Sequence, residues 1–139
     1  MSSKESTTFC AVPWTQVATN ASGYYRICCN ALPVKNLVRN QAGQVLSIYK
    51  NPVDEAWESP TYQEIRRQML NSERPEMCLR CFREEDAGVE SARQKWNHRW
   101  KKEIQAQQAS VLSPRYIDLR LGNLCNLKCR MCNPYASSK

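Results

Sequence analysis

Apolar and polar positions divide the 139-residue chain into short strand-like runs at its two ends and helix-like stretches between them. Phe9 to Ala18 reads as a strand and Tyr24 to Cys29 as its partner, joined through Thr19-Asn20-Ala21-Ser22-Gly23, a turn in which Gly23 supplies positive φ. Cys10 opens the first run and Cys28 closes the second, so a hairpin would bring these thiols to the same end. Cys29 points to the opposite face from Cys28, since side chains alternate along a strand; it is read as a spare, buried small hydrophobe.

Residues 31–60 are loop-rich, punctuated by Pro33, Gly43, Pro52 and Pro60, with one short apolar run, 44–49, that suits an added strand. Ser59-Pro60 is a helix-start signature, serine as N-cap and proline at the first helical position. The spacing predicts a helix over Pro60 to Asn71 with Tyr62, Ile65, Met69 and Leu70 on its apolar face, ending before Arg74-Pro75. Glu76-Met77-Cys78-Leu79-Arg80-Cys81 is a C-x2-C knuckle. Residues 82–109 are rich in Glu, Arg, Gln, Lys and Ala and predict a long helix, or two broken near Gly88, with Trp96, Trp100 and Ile104 as a packing stripe and His98 as a surface imidazole. Residues 111–114 look like a linker. From Arg115 to Leu121, Ile117, Leu119 and Leu121 alternate with Asp118 and Arg120 as in a strand, and a cysteine-rich loop follows.

Composition sharpens this α+β picture. Hydrophobic residues make up 42%, with only four glycines, which suits a folded chain. The first residues lack the apolar core of a signal peptide and no run approaches membrane-spanning length, so the expected location is cytoplasmic. In a reducing compartment, eight cysteines are better explained by metal or cluster ligation than by disulfides. The formal charge of +7 would suit phosphate, but Glu and Asp interrupt the Lys and Arg throughout, which favours a solvated basic surface over a nucleic-acid site.

Cys125, Cys129 and Cys132 have the spacing C-x3-C-x2-C. At i, i+4 and i+7 they could be an apolar helical stripe, but Leu121-Gly122-Asn123 before them and Lys128 and Arg130 between them favour a loop. Three thiolates so close can hold three corners of a cubane iron–sulfur cluster and leave the fourth iron open.

The run Tyr116-Ile117-Asp118-Leu119-Arg120-Leu121-Gly122-Asn123-Leu124-Cys125 through Cys132-Asn133-Pro134 resembles the first barrel strand and cluster loop of the radical S-adenosylmethionine superfamily. That resemblance implies a [4Fe–4S] cluster on Cys125, Cys129 and Cys132 whose open iron binds S-adenosylmethionine. Reductive cleavage then gives a 5′-deoxyadenosyl radical that abstracts hydrogen from substrate. Met131 departs from the family, which usually has an aromatic residue before the last cysteine. Cys10-x12-Gly23-x4-Cys28 followed by Cys78-x2-Cys81 resembles the auxiliary-cluster "twitch" or SPASM modules attached to many such enzymes, and implies one further [4Fe–4S] cluster on Cys10, Cys28, Cys78 and Cys81.

The resulting expectation is a small hairpin-plus-helices auxiliary module, then the first strand and cluster loop of an incomplete α/β radical S-adenosylmethionine barrel. Residues 1–8 form a tail, 9–110 the module and 111–139 the start of the core. Lys139 follows Cys132 by seven residues, so the expectation is either a truncated gene product or a chain whose barrel is completed elsewhere, for instance by another polypeptide; alone it is expected to be inactive, and no catalytic side chain is assigned. The implied partners are S-adenosylmethionine and an electron donor such as flavodoxin or ferredoxin. The competing reading is a zinc-binding four-cysteine interaction module, with nucleic acid as the partner its basic surface would suit.

Overall fold

A computed structural model of the chain describes residues 8–106, 113–120, 122–127 and 129–134. The tail up to residue 7, residues 107–112, Leu121 and Lys128, on which parts of the expectations above fall, lie outside them. The fold is α+β: a three-stranded sheet packed with short helices.

The sheet has the order β2-β1-β3, with β1 over Gln16–Thr19, β2 over Tyr25–Arg26 and β3 over Tyr116–Asp118. β1 pairs antiparallel with β2, Ala18 opposite Arg26, and parallel with β3, Val17 opposite Ile117. Strands on both sides bury all four residues of β1. A parallel return needs a long crossover, and among the described residues all the helices but the one before β1 occupy it. β3 therefore joins residues beyond 110 to the sheet of the preceding module.

The first expected strand begins seven residues late, at Gln16 rather than Phe9. Residues 12–15 form a one-turn helix, α1 (Val12–Thr15), because Pro13 fixes φ near its helical value within the first turn and the Thr15 hydroxyl donates back to the Ala11 carbonyl at 2.9 Å. Cys10 thus sits ahead of a helical turn rather than in a strand. The second strand is cut to two residues, since the amides of Ile27 and Cys28 donate to the Asn36 side chain instead of to a neighbouring strand. The turn between the strands closes as expected, with Gly23 at φ +80° and its N–H donating to the Asn20 carbonyl at 2.9 Å. Residues 44–49 give isolated bridges, Arg39 to Val45 and Tyr24 to Ser47, rather than a strand, and bury Leu46.

After α2 (Val53–Trp57), α3 runs Pro60–Leu70 with Ser59 as its N-cap, the serine side chain accepting from the Tyr62 amide. Tyr62, Ile65 and Met69 are buried against Val17, Tyr25, Ile27 and Trp57. Leu70, expected on that face, is 63% exposed, because the helix stops there and Asn71 caps it. Arg66 ties α3 to α1, its Nε donating to the Pro13 carbonyl at 2.8 Å and its guanidinium lying 4.4 Å from the Trp57 ring centroid.

The helical stretch breaks near Gly88, as one of the two expectations had it, but into three helices rather than two. α4 (Leu79–Asp86) begins inside the knuckle after a 3-10 turn at Glu76–Cys78 and ends at Gly88, φ +77°. α5 (Ala92–Arg99) starts with a reciprocal capping box between Ser91 and Gln94, and α6 (Lys101–Ala106) follows Trp100. The tryptophan stripe is accordingly split: Trp96 lies on α5 with its ring against Tyr116 of β3, 5.8 Å between centroids, and Trp100 caps the helix. Of the expected strand Arg115 to Leu121 only Tyr116–Asp118 forms, and the alternation gives no buried face: Ile117 in β3 and Leu119 just beyond it are 44% and 46% exposed.

Candidate functional site: a cavity ringed by four cysteines

The two ends of the chain's first half and the knuckle meet at one cavity. Its walls include Cys10, Cys28, Cys78 and Cys81, and it encloses about 440 Å³ of space between atoms, its open mouth included. Each thiol arrives by a different local device. Cys10 precedes α1, whose first amide, that of Val12, points back at the Cys10 sulfur. Cys28 follows β2 and is pinned by Asn36: its N–H donates to Asn36 Oδ1 at 3.1 Å, while Asn36 Nδ2 donates to the Cys28 carbonyl. The Asn30 amide in turn donates to Cys28 Sγ at 3.3 Å. Cys78 ends the 3-10 turn and Cys81 lies in the first turn of α4, so three residues of helix bring both sulfurs to one side.

The cavity wall is otherwise largely apolar, with Val12, Ile27, Ile65, Met69, Met77 and Trp96, and its polar lining residues are Asn30 and Arg93, the latter from α5. All eight cysteines are free thiols. Cys29 is exposed and outside the cavity; it is not the buried hydrophobe expected, because the chain turns into the 29–31 loop as soon as β2 ends.

Burial is the main influence on these thiols. It pushes Cys10 up to about 12 and Cys78 to about 12, and each would be raised further by negative charge on Cys81. Cys28 is raised too, first by a hydrogen bond shared with Cys29 and then by burial, and Cys29 is lowered by the same bond. In the metal-free protein Cys10 and Cys78 therefore keep their protons at neutral pH. An iron or zinc ion bound there would displace those protons. Their ordinary value is 9.0, so between about 9 and about 12 the folded metal-free chain binds more protons than the unfolded one. Its stability is then fully present below pH 9 and falls as pH rises through 12. Urea melts of the metal-free protein at pH 7, 9 and 10.5 are expected to show a falling midpoint, and a flat profile would contradict the burial of these thiols.

The second thiol set lies at the other end of β1. The Thr19 hydroxyl at the carboxyl end of that strand accepts from the Arg120 amide at 2.9 Å, anchoring the loop where β1 and β3 both end. In the loop, Cys132 N–H donates to the Cys129 carbonyl at 3.0 Å and Leu127 N–H to Cys125 Sγ at 3.4 Å. The thiols of Cys129 and Cys132 share a hydrogen bond, and Cys129 is raised chiefly by charge on Cys132. Leu124 and Met131 beside them are 90% and 92% exposed.

Among the described residues, no group of three or more His, Cys, Asp or Glu is gathered about one point as a single bound ion would require. Zinc, with Zn–S near 2.3 Å, draws four sulfurs to about 3.8 Å of one another. A cubane instead sets a separate iron beneath each thiolate, so its four ligands stand around a cavity rather than at one point, and Cys10, Cys28, Cys78 and Cys81 all line the cavity described above.

The sequence over residues 10–82, more than half of the chain, matches a family described as SPASM, iron-sulfur cluster-binding domain. The match opens on Cys10 and closes one residue beyond Cys81. The chain belongs to the SPASM family. Iron–sulfur binding by this SPASM chain follows from that membership and from a donor set of four free thiols on one cavity. No curated protein and no solved structure matches the chain. No helix among the described residues is long and apolar enough to cross a membrane.

Three residues that shape the site escaped the sequence reading: Asn36, Arg93 and Asn97. Asn36 falls in a stretch read only as loop, and the other two in one read as a polar helix. Their partners are fixed by tertiary contacts 8 to 88 residues away, which leave no periodic trace.

Proposed function

We propose that the chain carries two [4Fe–4S] clusters as part of a radical S-adenosylmethionine enzyme: an auxiliary one on Cys10, Cys28, Cys78 and Cys81, and a second on Cys125, Cys129 and Cys132 with one iron left for S-adenosylmethionine. The gathering of Cys10, Cys28, Cys78 and Cys81 around one cavity within a SPASM match carries the first half. The second half is supported by three thiols on an exposed loop at the carboxyl ends of two parallel strands, where α/β folds place their ligands. Such clusters supply one-electron transfer and, at an open iron, a coordination position.

The protein's own residues contribute the rest. Val12 and Asn30 amides aimed at sulfur offset thiolate charge, and the apolar wall keeps water from the auxiliary site. A reduced flavodoxin or ferredoxin would be the electron donor, and the substrate would be chosen by residues of the surrounding barrel.

Anaerobic reconstitution with iron and sulfide tests the reading. The expected product is brown, with about eight iron and eight sulfide per chain. A colourless protein carrying zinc and no acid-labile sulfide would establish the zinc module in its place.

A further inference from the structure

Arg93 and Asn97 lie one turn apart on α5 and therefore on one face. That face grips the backbone on both sides of Cys10. The Phe9 carbonyl accepts from Arg93 Nη1 at 2.6 Å and from Asn97 Nδ2 at 2.8 Å, and the Ala11 amide donates to Asn97 Oδ1 at 2.7 Å. These bonds span more than 80 residues of sequence and bracket a single cysteine. Arg93 is only 9% exposed and lines the cavity. Its other nitrogens are held by Glu85, Nε at 2.8 Å and Nη2 at 2.5 Å, and Glu85 also accepts from the buried Ser91 hydroxyl at 2.5 Å. The guanidinium lies 5.1 Å from the ring centroid of Phe82, the residue after Cys81. It thus stands between the cysteine-lined cavity and the carboxylate.

Resting on the cluster reading above, we propose that Arg93 is a positioning residue that tunes the auxiliary cluster: with Asn97 it fixes Cys10, and its buried charge raises the potential at which that cluster accepts an electron. A [4Fe–4S] cluster with four thiolates goes from net charge −2 to −3 when an external reductant such as dithionite supplies one electron. A nearby positive charge favours the more negative state, and here solvent screens it little. The carboxylate of Glu85, on the far side of the guanidinium, partly cancels that effect.

The test uses the full 139-residue chain with Cys125, Cys129 and Cys132 changed to alanine, so that only the auxiliary cluster titrates. Reconstituted protein is reduced stepwise with dithionite in the presence of mediators, and the reduced cluster is followed by electron paramagnetic resonance. Arg93→Gln is expected to disfavour reduction about tenfold, a fall of about 59 mV for one electron. Glu85→Gln is expected to move the midpoint the other way, and Arg93→Lys, which keeps the charge but loses the fork, to stay near the parent value. Asn97→Ala leaves the midpoint in place and speeds iron loss to a chelator. A purely structural clamp would not shift Arg93→Gln and Glu85→Gln in opposite directions. Midpoints that coincide, or move together, overturn the proposal while leaving the cluster assignment intact. Should Arg93→Gln not fold, Glu85→Gln against Arg93→Lys decides the sign. Failure of the parent chain to bind iron and sulfide would overturn the cluster reading itself, and the proposal with it.

Discussion

Replacing both cysteines of the knuckle, Cys78→Ser with Cys81→Ser, is expected to cut the iron of the reconstituted chain from about eight atoms to about four. Two thiolates cannot hold a cubane, and serine hydroxyls are poor substitutes for soft sulfur donors. Cys10→Ser with Cys28→Ser should remove the same four atoms, although these residues lie far earlier in sequence, because all four cysteines line one cavity. Combining the two pairs should remove no more than either alone, the signature of groups that act as one unit. Cys29→Ser should leave iron content unchanged, since that thiol lies outside the cavity. Iron and sulfide assays on the five proteins settle the matter. Losses that add, or a Cys29 variant that behaves like a Cys28 variant, would show that the cavity is not where the cluster sits.

The parts of this fold that were legible in the sequence are those written in backbone chemistry. Ser59-Pro60 started α3, Gly23 turned the chain between β1 and β2, and Gly88 ended α4, each because the residue's own conformational limits dictate the local path. Cysteine spacing was legible for a similar reason, since few other demands place four thiols in such a pattern. The apolar pattern alone was less informative. Ala11, Val12 and Val17 are all buried, yet the first two lie at a helical turn and the third in a strand. Buried apolar runs of this length look alike in either state, and Pro13 decided between them.

The remaining details were not legible because they depend on partners distant in sequence. Arg93 reads as one more cation in a polar helix, and only the arrival of Phe9 and Glu85 makes it a buried residue with five N–H donors to satisfy. The shortening of β2 has the same origin. A six-residue strand was the natural reading of Tyr24 to Cys29, but Asn36 offers the last amides a closer acceptor than any strand.

That substitution of side chain for strand makes Asn36 the residue outside the cysteines with the largest expected effect. It is fully buried, and its carboxamide satisfies the Ile27 N–H at 3.0 Å, the Cys28 N–H at 3.1 Å and the Cys28 carbonyl. Ile27 has a second acceptor in the Asn36 backbone carbonyl at 3.3 Å, which Asn36→Leu would keep. Cys28 would be left with a donor and an acceptor unpaired in the interior, at about 1–3 kcal/mol each. A loss of about 3 kcal/mol is expected, or roughly 10 °C in melting temperature for a chain of this size. Asn40 provides the comparison, because its Oδ1 accepts from the Gln44 amide at 3.0 Å in an exposed turn where water can take over. Asn40→Ala should cost under about 1 kcal/mol. Because Asn36 also orients the backbone that carries the Cys28 sulfur, its leucine variant should release iron to a chelator faster than the parent at a temperature where both remain folded. Equal melting temperatures for the Asn36 and Asn40 variants would mean that Cys28 is held by the cluster alone and not by the protein around it.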